Sequence, residues 1–313
     1  MSHVMKQSEE RTARNGVDLH RLVRPRLAIS FSGGRTSAVM TKLCVEKFKD
    51  THDISICFAN TGCEHENTLK FVNDCDKHFG WGVVWLEAVV NPEKGKGIRH
   101  KIVDYEMASR YGEPFEAVIA KYGIPNKFAP QCTRDTKEAP ITSYLRSKGW
   151  NKGSYDTAIG IRADEMDRMN LDDKKRFKYP LADAGWTKED VKRECSSWSF
   201  DLELEGEHYG NCVWCWKKSL RKLLTLAKDS PEVFDFPAVM EAKHGMTNER
   251  TEMPRTFFRE NRSTVDILEL AKTLDFEPYR DIEQTEMFSM ASYDVFLDTG
   301  SACGESCEIG ADD

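Results

Sequence analysis

The chain has 313 residues, a formal net charge of −7 and 10 cysteines, and 40% of its residues are hydrophobic. That length can bury a substantial core, and the acidic balance argues against a uniformly basic nucleic-acid-binding surface while leaving room for a local basic channel. No stretch is apolar enough to span a bilayer, the polar N-terminus lacks the apolar centre of a secretory signal, and the cysteines are too sparse for a disulfide scaffold, so a cytoplasmic protein using clustered cysteines for metal or redox chemistry is expected.

Residues 1–25 carry Arg11, Arg14, Arg21 and Arg24 and read as a basic, solvated arm. The run Leu27-Ala28-Ile29-Ser30-Phe31 then suits a buried strand, and Ser32-Gly33-Gly34-Arg35-Thr36-Ser37 leads from it into a segment of helical composition. Two glycines allow positive φ and close backbone approach, and unpaired N–H groups at a helix start favour an anion, so this stretch reads as a phosphate loop. The bland alternative is a tight turn capped by Ser32 or Ser37.

A second strand, Ile54 to Ala59, ends in Asn60-Thr61-Gly62 and precedes a helix from Glu66 to Phe79. Val83 to Leu86 reads as a third strand, helices are expected from about Ile98 to Tyr111 and Thr136 to Lys148, and Thr157 to Ile161 reads as another strand. This alternation predicts an α/β fold, a Rossmann-like, mainly parallel sheet with helices on both faces. Ligands in such sheets sit at the carboxyl ends of the strands, where Ser32-Gly33-Gly34, Asn60-Thr61-Gly62 and Gly160-Ile161-Arg162 would converge. From about Trp186 the pattern turns helical, with Thr187 as an N-cap and segments from Trp216 to Lys228 and Ser263 to Leu274. The organisation expected is a nucleotide-binding domain with a cysteine site over 26–230, and a helical extension with an acidic, cysteine-containing tail over 231–313.

Arg162 and Arg168 suit phosphate or sulfate oxygens, because a guanidinium is a planar fork of donors that stays protonated; the alternative is an ion pair with Asp164, Glu165 or Asp167. Cys212-Val213-Trp214-Cys215 is a C-x-x-C, with Cys132 upstream. Thiolates suit an iron–sulfur cluster or tetrahedral zinc, and packed thiols are the structural alternative. Cys44, Cys57, Cys63 and Cys75 fall on or near core elements and are left out of the site, and His208 reads as a surface histidine in a polar loop.

The S-G-G-R-T-S stretch resembles the pyrophosphate loop of the adenine nucleotide alpha-hydrolase (PP-loop) superfamily. Asn60-Thr61-Gly62 with Glu66 and Thr68, Gly160-Ile161-Arg162 with Arg168, and the block from Tyr179 to Val191 are similar to segments of phosphoadenosine phosphosulfate (PAPS) reductases. The resemblance implies nucleotide contacts from Ser30, Phe31, Ser32, Gly33, Gly34, Arg35, Thr36, Ser37, Asn60, Thr61, Gly62, Gly160 and Arg162, with Ser37, Arg162 and Arg168 in catalytic roles. The segment from Cys132 to Ile141 resembles the start of the cluster-binding motif of sulfonucleotide reductases, which implies a 4Fe-4S cluster on Cys132, Cys212 and Cys215, zinc being the alternative. Thr133 stands where that motif has a second cysteine, leaving Cys303, Cys195 or Cys307 as the fourth ligand.

The E-C-G-L-H tail that supplies the attacking cysteine in PAPS reductases is absent. The leading expectation is therefore cleavage of ATP or a related adenine nucleotide at the α-phosphate, with Mg²⁺ on the pyrophosphate and sulfur handled at the cluster. A sulfur donor and a nucleic-acid acceptor are compatible with this, as in related tRNA-thiolation and DNA-phosphorothioation enzymes. Reduction of PAPS or its 3′-unphosphorylated relative by a thiol reductant, and a non-catalytic nucleotide-binding protein with a structural metal site, are the alternatives.

Overall fold

Segments whose side chains are buried on both faces have no polar side to offer water, and here they pair at the centre of one sheet. The computed structural model describes residues 24–93, 95–247, 253–281 and Leu297. Its strands are β1 (Arg26–Ser30), β2 (Asp53–Asn60), β3 (Val84–Val90), β4 (Ile98–Val103), β5 (Asp156–Ala158) and β6 (Phe177–Lys178), in the order β4-β3-β2-β1-β5-β6. All neighbours are parallel except β3 and β4, which run antiparallel with Trp85 opposite Val103 and Val90 opposite Ile98.

β4 corrects the expected helix from Ile98. Ile98, Ile102 and Tyr105 are spaced like a helical stripe, but the turn before Ile98, with glycines at 95 and 97, returns the chain along β3 instead. Its exposed Arg99 and Lys101 suit an edge strand that must discourage further pairing.

Among the described residues, the α-helices longer than a single turn are α1 (Arg35–Phe48), α2 (Glu66–Phe79), α3 (Glu113–Tyr122), α4 (Ala139–Ser147), α5 (Lys188–Ser196), α6 (Leu220–Asp229), α7 (Asp235–His244) and α8 (Thr264–Thr273). α2 has the expected bounds, beginning at a His65 side chain that accepts from the Asn67 N–H and ending at Gly80 with φ 65°. Thr187 caps α5 as expected, in a reciprocal box with Asp190, and Ser263 does the same for α8 with Asp266. A π-helical turn, Arg134–Glu138, leads into α4, so this helix starts earlier and less regularly than its sequence suggests.

One core packs α1, α2 and α5 on the sheet around Ile29, Phe31, Met40, Phe58 and Phe71, and another lies beneath α4 around Leu86, Ile141 and Ile159. A third joins Phe115 and Ile119 to Trp214, Leu224, Phe234, Phe257 and Ile267. The helices after residue 231 thus share a core with the C-x-x-C segment. Among the described residues, no helix is long and apolar enough to cross a membrane.

Candidate functional site

The chain builds outward from β1 through β2 and β3 and later returns to place β5 on the other side of β1. The loops leaving β1 and β5 therefore flank a topological switch point, the crevice where open α/β sheets bind ligands. Within the β1 loop, Gly33 has φ +89°, and a Cβ there would lie 2.7 Å from the Thr68 methyl and 3.3 Å from Phe58 and Val72. Gly34, at φ −95°, is ordinary extended backbone, so the expected freedom of two glycines is used by one. Gly34 is the N-cap of α1 without a side-chain cap, which leaves N–H groups at the helix start for an anion.

Ser37 is fully buried and holds the loop in shape: its Oγ donates to the Gly34 carbonyl at 2.9 Å, accepts from the Ser32 N–H at 3.2 Å and lies 2.9 Å from the Ser32 Oγ. Ser30 and Phe31 are buried beneath it. The Arg35 guanidinium engages both carboxylate oxygens of Asp201, at 2.7 and 2.9 Å, and the Leu202 carbonyl at 2.6 Å, so it ties α1 to the 201–202 segment.

Arg162, following Gly160 and Ile161 at the end of β5, crosses to the loop and donates to the Thr36 Oγ1 at 3.1 Å. Asp164 holds it through two bonds of 3.0 Å, and Glu165 lies 3.4 Å from it and 2.6 Å from Arg168. Burial works against the Arg162 charge, but the Asp164 bond and the nearby carboxylates outweigh it and raise its pKa. Both arginines are thus ion-paired, as the alternative reading had it, and one of them also touches the phosphate loop. Thr68, buried beside Gly33, has a hydroxyl that finds no hydrogen-bond partner among the described residues.

The Asn60-Thr61-Gly62 segment turns toward a second place. Asn60 is clamped inward, donating to Glu87 at 2.8 Å and the Ser109 carbonyl at 2.9 Å while accepting from the Gly62 N–H at 3.2 Å. Thr61 gives its N–H and its hydroxyl to the Glu64 carboxylate at 2.9 Å, and its Oγ1 lies 3.5 Å from the Cys212 sulfur. Glu64 and Cys212 form an isolated antiparallel bridge, and the Val213 N–H donates to the Cys63 carbonyl at 3.1 Å.

Cys132, Cys212 and Cys215 line one small cavity of about 20 Å³, with Thr133, Lys137 and Trp214. Lys218 steadies the C-x-x-C turn by donating to the Gly210 and Cys212 carbonyls at 2.7 and 3.0 Å. Burial, reinforced by Glu64, pushes the Cys212 thiol up. Cys63, left out on sequence grounds, borders this group: burial and then the nearby Cys212 raise its thiol. Its signal was its place just past a strand's carboxyl end.

Cys195 lies elsewhere, packed beside Cys75 in the core under α1 and α2, while Cys303 and Cys307 fall outside the described residues. The donors that do meet are soft thiols of the kind that suit zinc or iron–sulfur. Among the described residues, however, no three His, Cys, Asp or Glu side chains are arranged to hold a metal ion. His208 is buried rather than on the surface, with neither ring nitrogen finding a hydrogen-bond partner among the described residues and its pKa lowered by burial.

A model of the phosphoadenosine phosphosulfate reductase domain matches residues 26–193, a span that contains both loops of the crevice. The chain is 33% identical over 287 residues to an uncharacterized nin region protein, ORF290, of Escherichia phage lambda, covering 90% of this chain and 94% of that protein. It is also 27% identical over 149 residues to an uncharacterized protein of Methanocaldococcus jannaschii, covering 48% of this chain and 25% of the relative. With a glycine loop at the switch point and a domain match over more than half its length, the chain belongs to the PAPS reductase-like family of the PP-loop superfamily, whose members bind adenine nucleotides.

Proposed function

We propose that this chain binds ATP or a related adenine nucleotide with its phosphates on residues 32–37 and cleaves it at the α-phosphate. The observation that carries the reading is Arg162, a half-buried, carboxylate-steadied cation bonded to the loop itself. An acceptor oxygen attacks the α-phosphorus, the bond to the bridging oxygen breaks, and pyrophosphate leaves with the electron pair. Charge that develops on that oxygen meets the N–H groups of the α1 terminus and the Arg162 guanidinium, both preorganised. Ser37 keeps the loop in shape, Arg168 positions Arg162 through Glu165, and the unpaired Thr68 hydroxyl supplies a further donor. Mg²⁺ would supply charge neutralisation on the pyrophosphate, and residues 32–37 offer hydroxyls but no carboxylate with which to hold it.

The thiol group of Cys132, Cys212 and Cys215, joined by Cys63 or by Cys303 or Cys307 of the tail, is the proposed place for a sulfur-handling metal centre. The position of Thr61, bonded to Glu64 and near the Cys212 sulfur, favours a second reading. In it a thiolate attacks the sulfur of PAPS or its relative and expels the nucleotide, and a second thiol then releases sulfite as a disulfide forms.

Product analysis separates the two. Under the first reading, ATP labelled at the α-phosphate yields pyrophosphate and a labelled adenylate of the acceptor, from which a sulfur nucleophile or water then displaces labelled AMP, and the Cys303→Ser/Cys307→Ser variant retains this cleavage. Sulfite release from PAPS, without AMP formation from ATP under any acceptor condition, would overturn it in favour of the second.

A further inference from the structure

A second cavity lies on the far side of the segment that carries Cys132. It has a volume of about 660 Å³ and is walled on one side by residues 96–100 at the start of β4, and on the other by the π-helical turn and α4. Arg134, Glu138, Thr142 and Arg146 recur every four residues and so form one ridge along its helical wall. Lys96 and Arg99 also line it, as does His100, whose Nδ1 lies 2.9 Å from the Ser143 Oγ and whose pKa burial lowers, leaving it neutral at pH 7. Glu138 is the acidic member of the lining, and Asp135 nearby is bonded to Arg134 at 2.8 and 3.0 Å. Cations outnumber carboxylates in a concave space whose volume falls within the roughly 300–1,000 Å³ usual for ligand sites.

Charges scattered along an edge strand would be a solvated edge. Their concentration in a cavity, among the hydroxyls of Thr142, Ser143 and Ser147, is instead what phosphate ester oxygens require. We propose that this cavity grips the phosphodiester backbone of a single-stranded nucleic acid, as a second binding site distinct from the nucleotide crevice. The segment 132–138 forms a shared wall: Cys132, Thr133, Thr136 and Lys137 face the thiol cavity, and Arg134 and Glu138 face the basic one. A backbone held there lies one helical segment away from the thiols. The inference uses none of the residues placed in nucleotide cleavage and stands whichever reaction the crevice performs.

Lys96 and Arg146 are the residues to change, because both are exposed, whereas removing Arg134 would leave the buried Asp135 without its partner. The test is fluorescence anisotropy of the full chain with labelled single-stranded RNA and DNA of about ten nucleotides, over a salt series, alongside calorimetric titration with ATP. Binding of wild type should weaken with salt, and Lys96→Glu/Arg146→Glu should lose roughly tenfold or more in affinity with the log–log salt slope reduced by about 1.4, at unchanged ATP affinity. Should the reversal variant fail to fold, Lys96→Gln/Arg146→Gln should show the same trend. Equal oligonucleotide binding by folded variant and wild type would overturn the proposal, as would a wild type that binds no oligonucleotide at low salt, or one whose bound oligonucleotide is displaced by inorganic phosphate or AMP alone at similar concentrations.

Discussion

The crevice at β1 and β5 and the thiol cavity are built in opposite ways. The crevice draws on one strand–turn–helix and a single arginine from the loop after β5, and the anion binding proposed for it would rest largely on backbone N–H groups. The thiol cavity is assembled from residues 132–137 and 211–217, with the 61–64 turn against it, and is walled by Phe115, Trp214 and Trp216. A backbone site depends on a few φ values and tolerates change elsewhere. A side-chain site depends on the packing of every element that delivers a residue, here including the core shared with α6, α7 and α8.

The largest expected effect tests the crevice alone. Gly33→Ala forces a Cβ into a left-handed backbone and against the Thr68 methyl, and should cost roughly 1–3 kcal/mol of stability and abolish measurable nucleotide affinity. Gly34→Ala, at ordinary φ, should retain the fold and most binding. Calorimetric titration and thermal unfolding of the pair would break the comparison if both variants behaved alike.

A smaller effect on the fold is expected at the thiol cavity. Cys212→Ser/Cys215→Ser should bring the iron, sulfide and zinc content of anaerobically purified protein to background and lower its Tm, since ligation couples to folding, while nucleotide affinity changes little. Full metal occupancy in that variant, or metal-free wild type, would reassign the cysteines to packing.

The smallest concerns the tie between the two regions. Lys188, at the start of α5 beside the crevice, is ion-paired with Glu207, just ahead of the C-x-x-C. Burial opposes the Glu207 charge, but the Lys188 pair prevails and lowers its pKa. The stability this contributes is full above the ordinary glutamate range of about 4.3 and is lost as pH falls through the lower folded value. In Glu207→Gln the decline of Tm below about pH 4 should therefore be shallower than in wild type; superimposable acid limbs would show that the pair does not link the regions.

Much of the crevice side was legible along the chain. The strand before Ser32, the helix from Glu66 to Phe79 and the Thr187 cap all follow from short-range spacing and cap chemistry. Ile98 to Tyr111 misled because apolar residues three and four apart fit a helix, while pairing with β3 is a long-range event that periodicity does not see. His208 looked superficial because its neighbours are polar, yet Tyr209 and Tyr279 pack against its ring.

By itself, then, the sequence determined the α/β class, the glycine loop between β1 and α1 and the place of an arginine just after β5, because each is encoded within a few consecutive residues. Only the tertiary structure decided that Gly33 has no room for a Cβ, since the clash would be with Thr68 on another element. It also decided that Arg162 reaches Thr36 and that Cys63 rather than Cys195 borders the C-x-x-C. These are contacts between residues far apart in sequence, and what selects them is the close packing of the whole core.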